Sequence, residues 1–174
     1  PIRGDGSPEE ATTLSNLGFL YRSYGDGWKN RNLARESDRQ KSEALKNAQT
    51  YYRDALNAYQ NALMVIRKLG DRASESATLN NIAGLYLELN QPASALEAYE
   101  LALTLYREGG DRASEATTRH NIGVAHARQG QYLEALASYE EALKITQTTG
   151  DRPTQASILR NIGSAYAKQG DYRR

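Results

Sequence analysis

Residues 70–149 are one 40-residue unit written twice, and a chain built that way folds by stacking like on like. GDRASESATLNNIAGLYLELNQPASALEAYELALTLYREG runs directly into GDRASEATTRHNIGVAHARQGQYLEALASYEEALKITQTT, with 16 of the 40 aligned positions identical. Self-similarity at this period signals a repeat architecture, in which each unit buries its apolar face against its neighbours. A further copy, GDRPTQASILRNIGSAYAKQGDYRR, starts at Gly150, and a diverged copy carrying an insertion precedes Gly70.

Each unit carries two helical patterns. Leu79, Ile82, Ala83 and Tyr86 fall at i, i+3, i+4 and i+7, and Ala95, Leu96, Tyr99, Ala102, Leu103 and Tyr106 repeat that period. Such spacing places apolar groups on one stripe of a helix, so the unit is a helical hairpin. Gly70, Gly110 and Gly150 can take the left-handed conformation that closes a helix, and Asp71, Asp111 and Asp151 can cap the next one. Pro8 and Pro153 stand where the first turn of a helix needs no amide donor. The resulting boundaries are a first hairpin over 1–69 with an insertion at about 25–50, repeats at 70–109 and 110–149, and a truncated repeat over 150–174.

An apolar fraction of 39% suits stacked hairpins better than one globular core, because a stack buries only the seams between neighbours. The formal net charge is +1, from 22 basic and 21 acidic residues, so no global field draws nucleic acid or anionic lipid. The absence of cysteine excludes disulfides, thiolate metal sites and a cysteine nucleophile. No apolar run approaches the roughly 18 residues of a membrane span, and no signal peptide is visible at Pro1. Neither nucleic acid nor membrane is expected as a partner, and a cytoplasmic location is the expectation. Pro1 in place of an initiator Met, and a second helix that halts at Arg174, suggest an excised segment of a longer array.

The third unit carries N-I-G and then Q-G-Q-Y-L-E-A-L-A-S-Y-E-E-A-L, with Ile122, Gly123, Gly130, Tyr132, Ala135, Tyr139 and Ala142 at the matching places. In these residues the chain resembles the tetratricopeptide repeats. The usual unit is about 34 residues closed by Pro, whereas this one has 40 and closes with Gly-Asp-Arg. Forty-residue units of that kind are similar to the Leu-Gly-Asn subfamily and to bacterial tetratricopeptide arrays. The resemblance implies an all-α, right-handed solenoid of antiparallel helical hairpins.

In chain order, the first helix is predicted from about Pro8 to Tyr24, with Leu14, Leu17, Gly18 and Tyr21 on its stripe. Some 25 extra residues then precede the partner helix, whose stripe is Ala55, Leu56, Tyr59, Ala62 and Leu63. Gly25-Asp26-Gly27 opens this insertion as a loop, and the stretch from about Leu33 onward favours one long helix to residue 69. With few apolar residues between Leu33 and Ala44, that helix is expected to project past the body of the stack, solvated or awaiting a partner. Trp28, the only tryptophan, either covers the edge of the first hairpin or anchors a partner.

No catalytic constellation emerges. His120 and His126 are six residues apart on one helix, not the three or four that put two ligands on one face, and His126 replaces the seam tyrosines Tyr86 and Tyr166. Glu140 and Glu141 are adjacent on a helix and point apart. The glycines lack the strand-then-helix context of a phosphate loop. The segment is expected to be no enzyme and to need no cofactor or metal.

Asparagine recurs without a folding reason. Asn16, Asn81, Asn121 and Asn161 stand in every copy, just before the apolar-small pair of the first helix. Asn is a mediocre helix-interior residue. Either these amides bridge one hairpin to the next, or they form a ladder. The ladder is what the resemblance implies: the first helices of such hairpins line a concave surface, where asparagines grip the main chain of an extended peptide. An amide offers donor and acceptor together. With helices about 8–10 Å apart and an extended chain advancing about 3.3 Å per residue, four asparagines span roughly ten peptide residues.

Flanking positions would set specificity. Ser15, Asn80, His120 and Arg160 precede each Asn, Phe19, Gly84, Val124 and Ser164 follow by three, and Ser23, Glu88, Arg128 and Lys168 follow by seven. Arg128, Arg160 and Lys168 gather in the C-terminal half and favour an acidic peptide there, unless they are simply a solvated charged face. The expected partner is therefore a protein or peptide. Two other functions remain open, a sensor or scaffold region of a larger signalling or protease-like enzyme, and self-association through the C-terminal end, where Leu159, Ile162 and Tyr166 lack a covering helix.

Overall fold

A computed structural model describes residue 4 and residues 6–31 and 37–170. They form seven helices: α1 (Pro8–Lys29), α2 (Asp38–Leu69), α3 (Arg72–Glu88), α4 (Pro92–Gly109), α5 (Arg112–Arg128), α6 (Tyr132–Thr149) and α7 (Arg152–Gln169). The chain divides into two compact units, residues 1–90 and 91–174.

The turns follow the repeated punctuation. Gly70, Gly110 and Gly150 close α2, α4 and α6 at φ of 72°, 71° and 75°. Asp71, Asp111 and Asp151 then accept from the backbone N–H of Ser74, Ser114 and Thr154 at 3.0, 3.0 and 3.1 Å. These contacts leave two residues between one helix and the next, so each new helix packs at once on the one before it. The hydrogen bonds also hold all three carboxyls below the usual carboxylate range.

The unit of residues 1–90 is the long hairpin α1/α2, with α3 packed on α2. Ala11, Ala62, Val65 and Ile66 form a core cluster against which Leu14 packs. Here the expected loop is not found. Gly25-Asp26-Gly27 is helical and α1 runs five residues past Tyr24, to Lys29. Helical glycine costs about 1 kcal/mol against alanine, but Gly25 is buried, and a Cβ there would lie 2.5 Å from the ring of Tyr52. Tyr52 is buried on this bare backbone and its hydroxyl donates to Asp26 Oδ1 at 2.8 Å. Burying such a ring stabilises by about 1.5–3 kcal/mol and offsets the glycine.

The long second helix is continuous through residues 44–50 and begins at Asp38, where Ser37 and Gln40 form a reciprocal capping box. The part expected over 33–36 lies outside the described residues. Nor does α2 project alone, since the lengthened α1 runs beside it and Ala44, Ala48 and Tyr52 are buried. Trp28 is half-buried at the end of this arm, with the Arg31 guanidinium 5.6 Å from its ring centroid.

The unit of residues 91–174 stacks α4 on α5, α5 on α6 and α6 on α7, with a smaller contact between α5 and α7. Ala135, Leu136, Tyr139, Ala142, Ile158 and Ala165 form its core cluster, flanked by half-buried Val124, Tyr132, Ile162 and Tyr166. Gly123 repeats the glycine-tyrosine contact, a Cβ there lying 2.4 Å from the Tyr139 ring. Of the three apolar residues expected bare on α7, Ile162 and Tyr166 are half-buried against that cluster, and Leu159 is 50% exposed.

Seams within both units carry a buried carboxylate. Glu75 receives Arg67 Nε at 2.8 Å and Arg72 Nη1 at 3.4 Å. Glu115, its side chain 3% exposed, receives Arg107 and Arg119, each through Nε at 3.2 Å, together with Arg112. Arg119 also pairs with Glu141. At the α6/α7 seam the corresponding residues are Gln147 and Gln155, so the ionic pair is replaced by amides.

Candidate functional site

Between α5 and α7, where the first helices of two successive hairpins meet within one unit, the surface opens into a groove of about 620 Å3. Asn161, Ser164 and Lys168 line it from α7, Val124 and Arg128 from α5, and Tyr132 from the start of α6. Asn161, Arg128 and Lys168, three of the residues expected to bind peptide, thus share one concavity. The Gly130 turn, at φ 77°, brings α6 back so that Tyr132 forms part of its wall.

His120 lies beside Asn161. The Asn161 Nδ2 amide donates to His120 Nε2 at 2.8 Å, which requires that ring nitrogen to be unprotonated. Burial lowers the His120 pKa and the neighbouring Arg160 charge lowers it further, so the neutral ring is the one favoured. The ring also packs on Tyr139, with centroids 5.7 Å apart, and burial pushes the Tyr139 hydroxyl up to about 12. Asn161 therefore bridges α7 to α5 through one amide hydrogen, and its Oδ1 has no hydrogen bond among the described residues.

The remaining asparagines differ. The side chains of Asn16, exposed on α1, Asn81, half-buried on α3, and Asn121, half-buried on α5, have no hydrogen bond among the described residues. A bridge between hairpins accordingly accounts for one of the four. Asn80 is half-buried on α3 and engaged. Asn16, Asn80 and Asn81 belong to the unit of residues 1–90, Asn121, His120, Arg128, Arg160, Asn161 and Lys168 to the other.

His126 does more than fill a seam. Its Nδ1–H donates to Gln131 Oε1 at 2.7 Å and pins the start of α6 to the end of α5. In the sequence Tyr132 is part of the repeat pattern, and no residue spacing signals that it faces the groove. The contact between His120 and Asn161 joins residues 41 apart, one from each of two copies, and it was equally invisible. Among the described residues no helix is long and apolar enough to cross a membrane.

A tetratricopeptide repeat family model matches residues 40–108 and 114–174. Comparison with curated proteins finds no match. Among solved structures, BtubC (BKLC) from P. vanneervenii is similar at TM-score 0.64 and 22% identity, over 91% of this chain and 67% of that one. Rap protein complexed with Competence and Sporulation Factor matches at TM-score 0.65 and 20% identity, over 94% of this chain and 50% of that one. A Signal Transduction ATPase with Numerous Domains protein with a tetratricopeptide repeat sensor, from Pyrococcus horikoshii, matches at TM-score 0.61 and 18% identity, over 91% of this chain and 28% of that one. At these identities the likeness is one of fold.

Proposed function

Because the chain belongs to the tetratricopeptide repeat family, whose all-α solenoid of hairpins is a protein-interaction scaffold, we propose that it binds an extended, acidic peptide segment along the first helices of its hairpins. The groove between α5 and α7 carries the proposal, since it sets a half-bonded amide between two cationic side chains, Arg128 and Lys168. Asn161 Oδ1 would accept from a peptide N–H, and Lys168 would meet a carboxylate. Asn16, Asn81 and Asn121 would serve the same main-chain role with amides that carry no other bond, and Asn80, His120 and Arg160 would contact peptide side chains. Binding without chemistry suffices for this function, in a cytoplasmic setting. The Rap structure, of the same fold, is a complex with Competence and Sporulation Factor.

Overlaying the chain on arrays of acidic, neutral and basic decapeptides tests this. Retention is expected on the acidic set, and Asn161→Ala should weaken it by about 1–3 kcal/mol, the usual consequence of stranding a polar partner. Equal retention on the basic set would contradict it. The structure from Pyrococcus horikoshii, in which a repeat array serves as sensor in a larger ATPase, makes a sensor region within a larger enzyme the alternative. Self-association through α7 is a further reading, favoured by the half-exposed Leu159.

A further inference from the structure

Resting on the peptide reading of the groove between α5 and α7, we infer that His120 decides which end of the Asn161 amide that groove presents. A neutral His120 ring turns the carbonyl oxygen outward, where it takes a peptide N–H, and a protonated ring turns it inward. Besides its own contact with peptide side chains, His120 is thus a positioning residue that sets the polarity of the site from behind.

An amide side chain keeps nearly the same shape when its oxygen and nitrogen are exchanged, so its hydrogen bonds orient it and packing alone does not. Asn161 makes one such bond among the described residues, from Nδ2 to His120 Nε2 at 2.8 Å. An unprotonated Nε2 can only accept, so it takes the NH2 end. The two ends of the amide point apart, which leaves Oδ1 as the end facing the groove that Asn161 lines. A protonated Nε2 can only donate, and it would meet Nδ2 hydrogen against hydrogen. Half a turn of the amide removes that clash by offering Oδ1 to the ring, and the groove then presents a donor. Asn121, the matching amide on α5, has no hydrogen bond among the described residues and turns either way. The ladder in this unit therefore sets one amide of fixed sense beside one of open sense.

The surroundings of His120 make the neutral ring the resting form. From α6 it faces Tyr139, whose hydroxyl, pushed up to about 12 by burial, carries no charge beside it. From α7 it faces the Arg160 guanidinium, while α4 brings no charged group to the ring and no carboxylate among the described residues offsets a proton on it. Burial first, and that arginine second, lower the His120 pKa from the ordinary imidazole value of about 6.5. The inward turn of the amide is therefore expected on the acid side of that value, and the outward amide above it.

NMR on the 15N-labelled 174-residue chain, without peptide, tests the switch itself. At neutral pH the ring should carry its proton on Nδ1, and a 15N–15N coupling should pass across the hydrogen bond from Asn161 Nδ2 to His120 Nε2. Lowering the pH should abolish that coupling and shift the Asn161 side-chain amide with the same midpoint as the His120 ring. A ring that carries its proton on Nε2 at neutral pH, or an Asn161 amide that stays still while His120 titrates, overturns the inference. Binding supplies a second arm, held at neutral pH so that the peptide's own carboxylates do not titrate. N-methylating an acidic decapeptide at one backbone nitrogen at a time should reveal one place, opposite Asn161, where affinity falls about tenfold, as for one lost hydrogen bond. His120→Phe keeps a ring against Tyr139 but frees the amide, and should cut that penalty to about threefold or less. An undiminished penalty in His120→Phe overturns the part given to His120. If no acidic decapeptide binds while the amide still turns with His120, the peptide reading falls and the switch stands.

Discussion

In the α5/α6 hairpin one glycine, Gly123, lets a tyrosine ring, Tyr139, lie on bare helix backbone, whereas the α1/α2 hairpin makes that contact twice. Gly18 lies under Tyr59, and seven residues further along α1 Gly25 lies under Tyr52, seven residues back along α2. Seven residues are close to two helical turns, so both pairs fall on the same stripe of each helix. The extra residues of the first hairpin therefore extend an existing mode of packing in phase, on both arms at once. A second difference lies in the hydroxyls. Tyr52 donates to Asp26, while the Tyr139 hydroxyl has no hydrogen bond among the described residues.

The largest test of this comparison is truncation of the two rings. Tyr139→Ala and Tyr52→Ala should each cost about 3–5 kcal/mol in urea melts, as buried aromatic truncations do. A cost for Tyr52→Ala below about 1 kcal/mol would mean that the extended arm is peripheral and would break the equivalence. Next come the seams. Glu115→Ala should cost about 2 kcal/mol, less than a fully buried pair because its arginine partners are partly solvated, and Glu75→Ala about half of that. Gln155→Ala, at the seam without charges, should stay within about 0.5 kcal/mol, as should changes at exposed Glu97 and Lys144. Equal costs at Glu115 and Gln155 would show that the buried carboxylate adds nothing.

Hydroxyl deletion separates the two tyrosines more finely. Tyr52→Phe should cost about 1 kcal/mol, for a lost hydrogen bond to a carboxylate that stays behind, and Tyr139→Phe should be close to neutral by the same melts. The smallest effect is on pH. Asp71, Asp111 and Asp151 have depressed folded-state pKa values, so their stabilisation is complete above the unfolded carboxylate value, near 4, and fades as pH falls through the folded ones. Melts of Asp111→Asn should lose part of the decline on that acid side, and an unchanged acid limb would remove the caps from the account.

The sequence exposed whatever recurs. The stripes at Leu79 and Ala95 and the Gly-Asp turns are repeated local signals, and each is found where periodicity places it. The insertion was misread at Gly25-Asp26-Gly27 because loop propensity there is local, while the contact that overrides it comes from Tyr52, 27 residues on. The groove was legible in part. Asn161 and Lys168 stand seven apart on α7 and Arg128 holds the matching place on α5, which spacing reveals, but the bond from Asn161 to His120 and the approach of Tyr132 depend on how separate helices meet.

That groove is the central claim, and an NMR titration of the 15N-labelled chain with acidic and basic decapeptides tests it most directly. The side-chain amide of Asn161 and the backbone signals of Arg128, Ser164 and Lys168 should shift on adding the acidic peptide, less so as salt is raised, and hardly at all in Lys168→Glu. Shifts of equal size with the basic peptide, or acidic-peptide shifts that leave Asn161 unmoved, would contradict the groove as a site for acidic peptides.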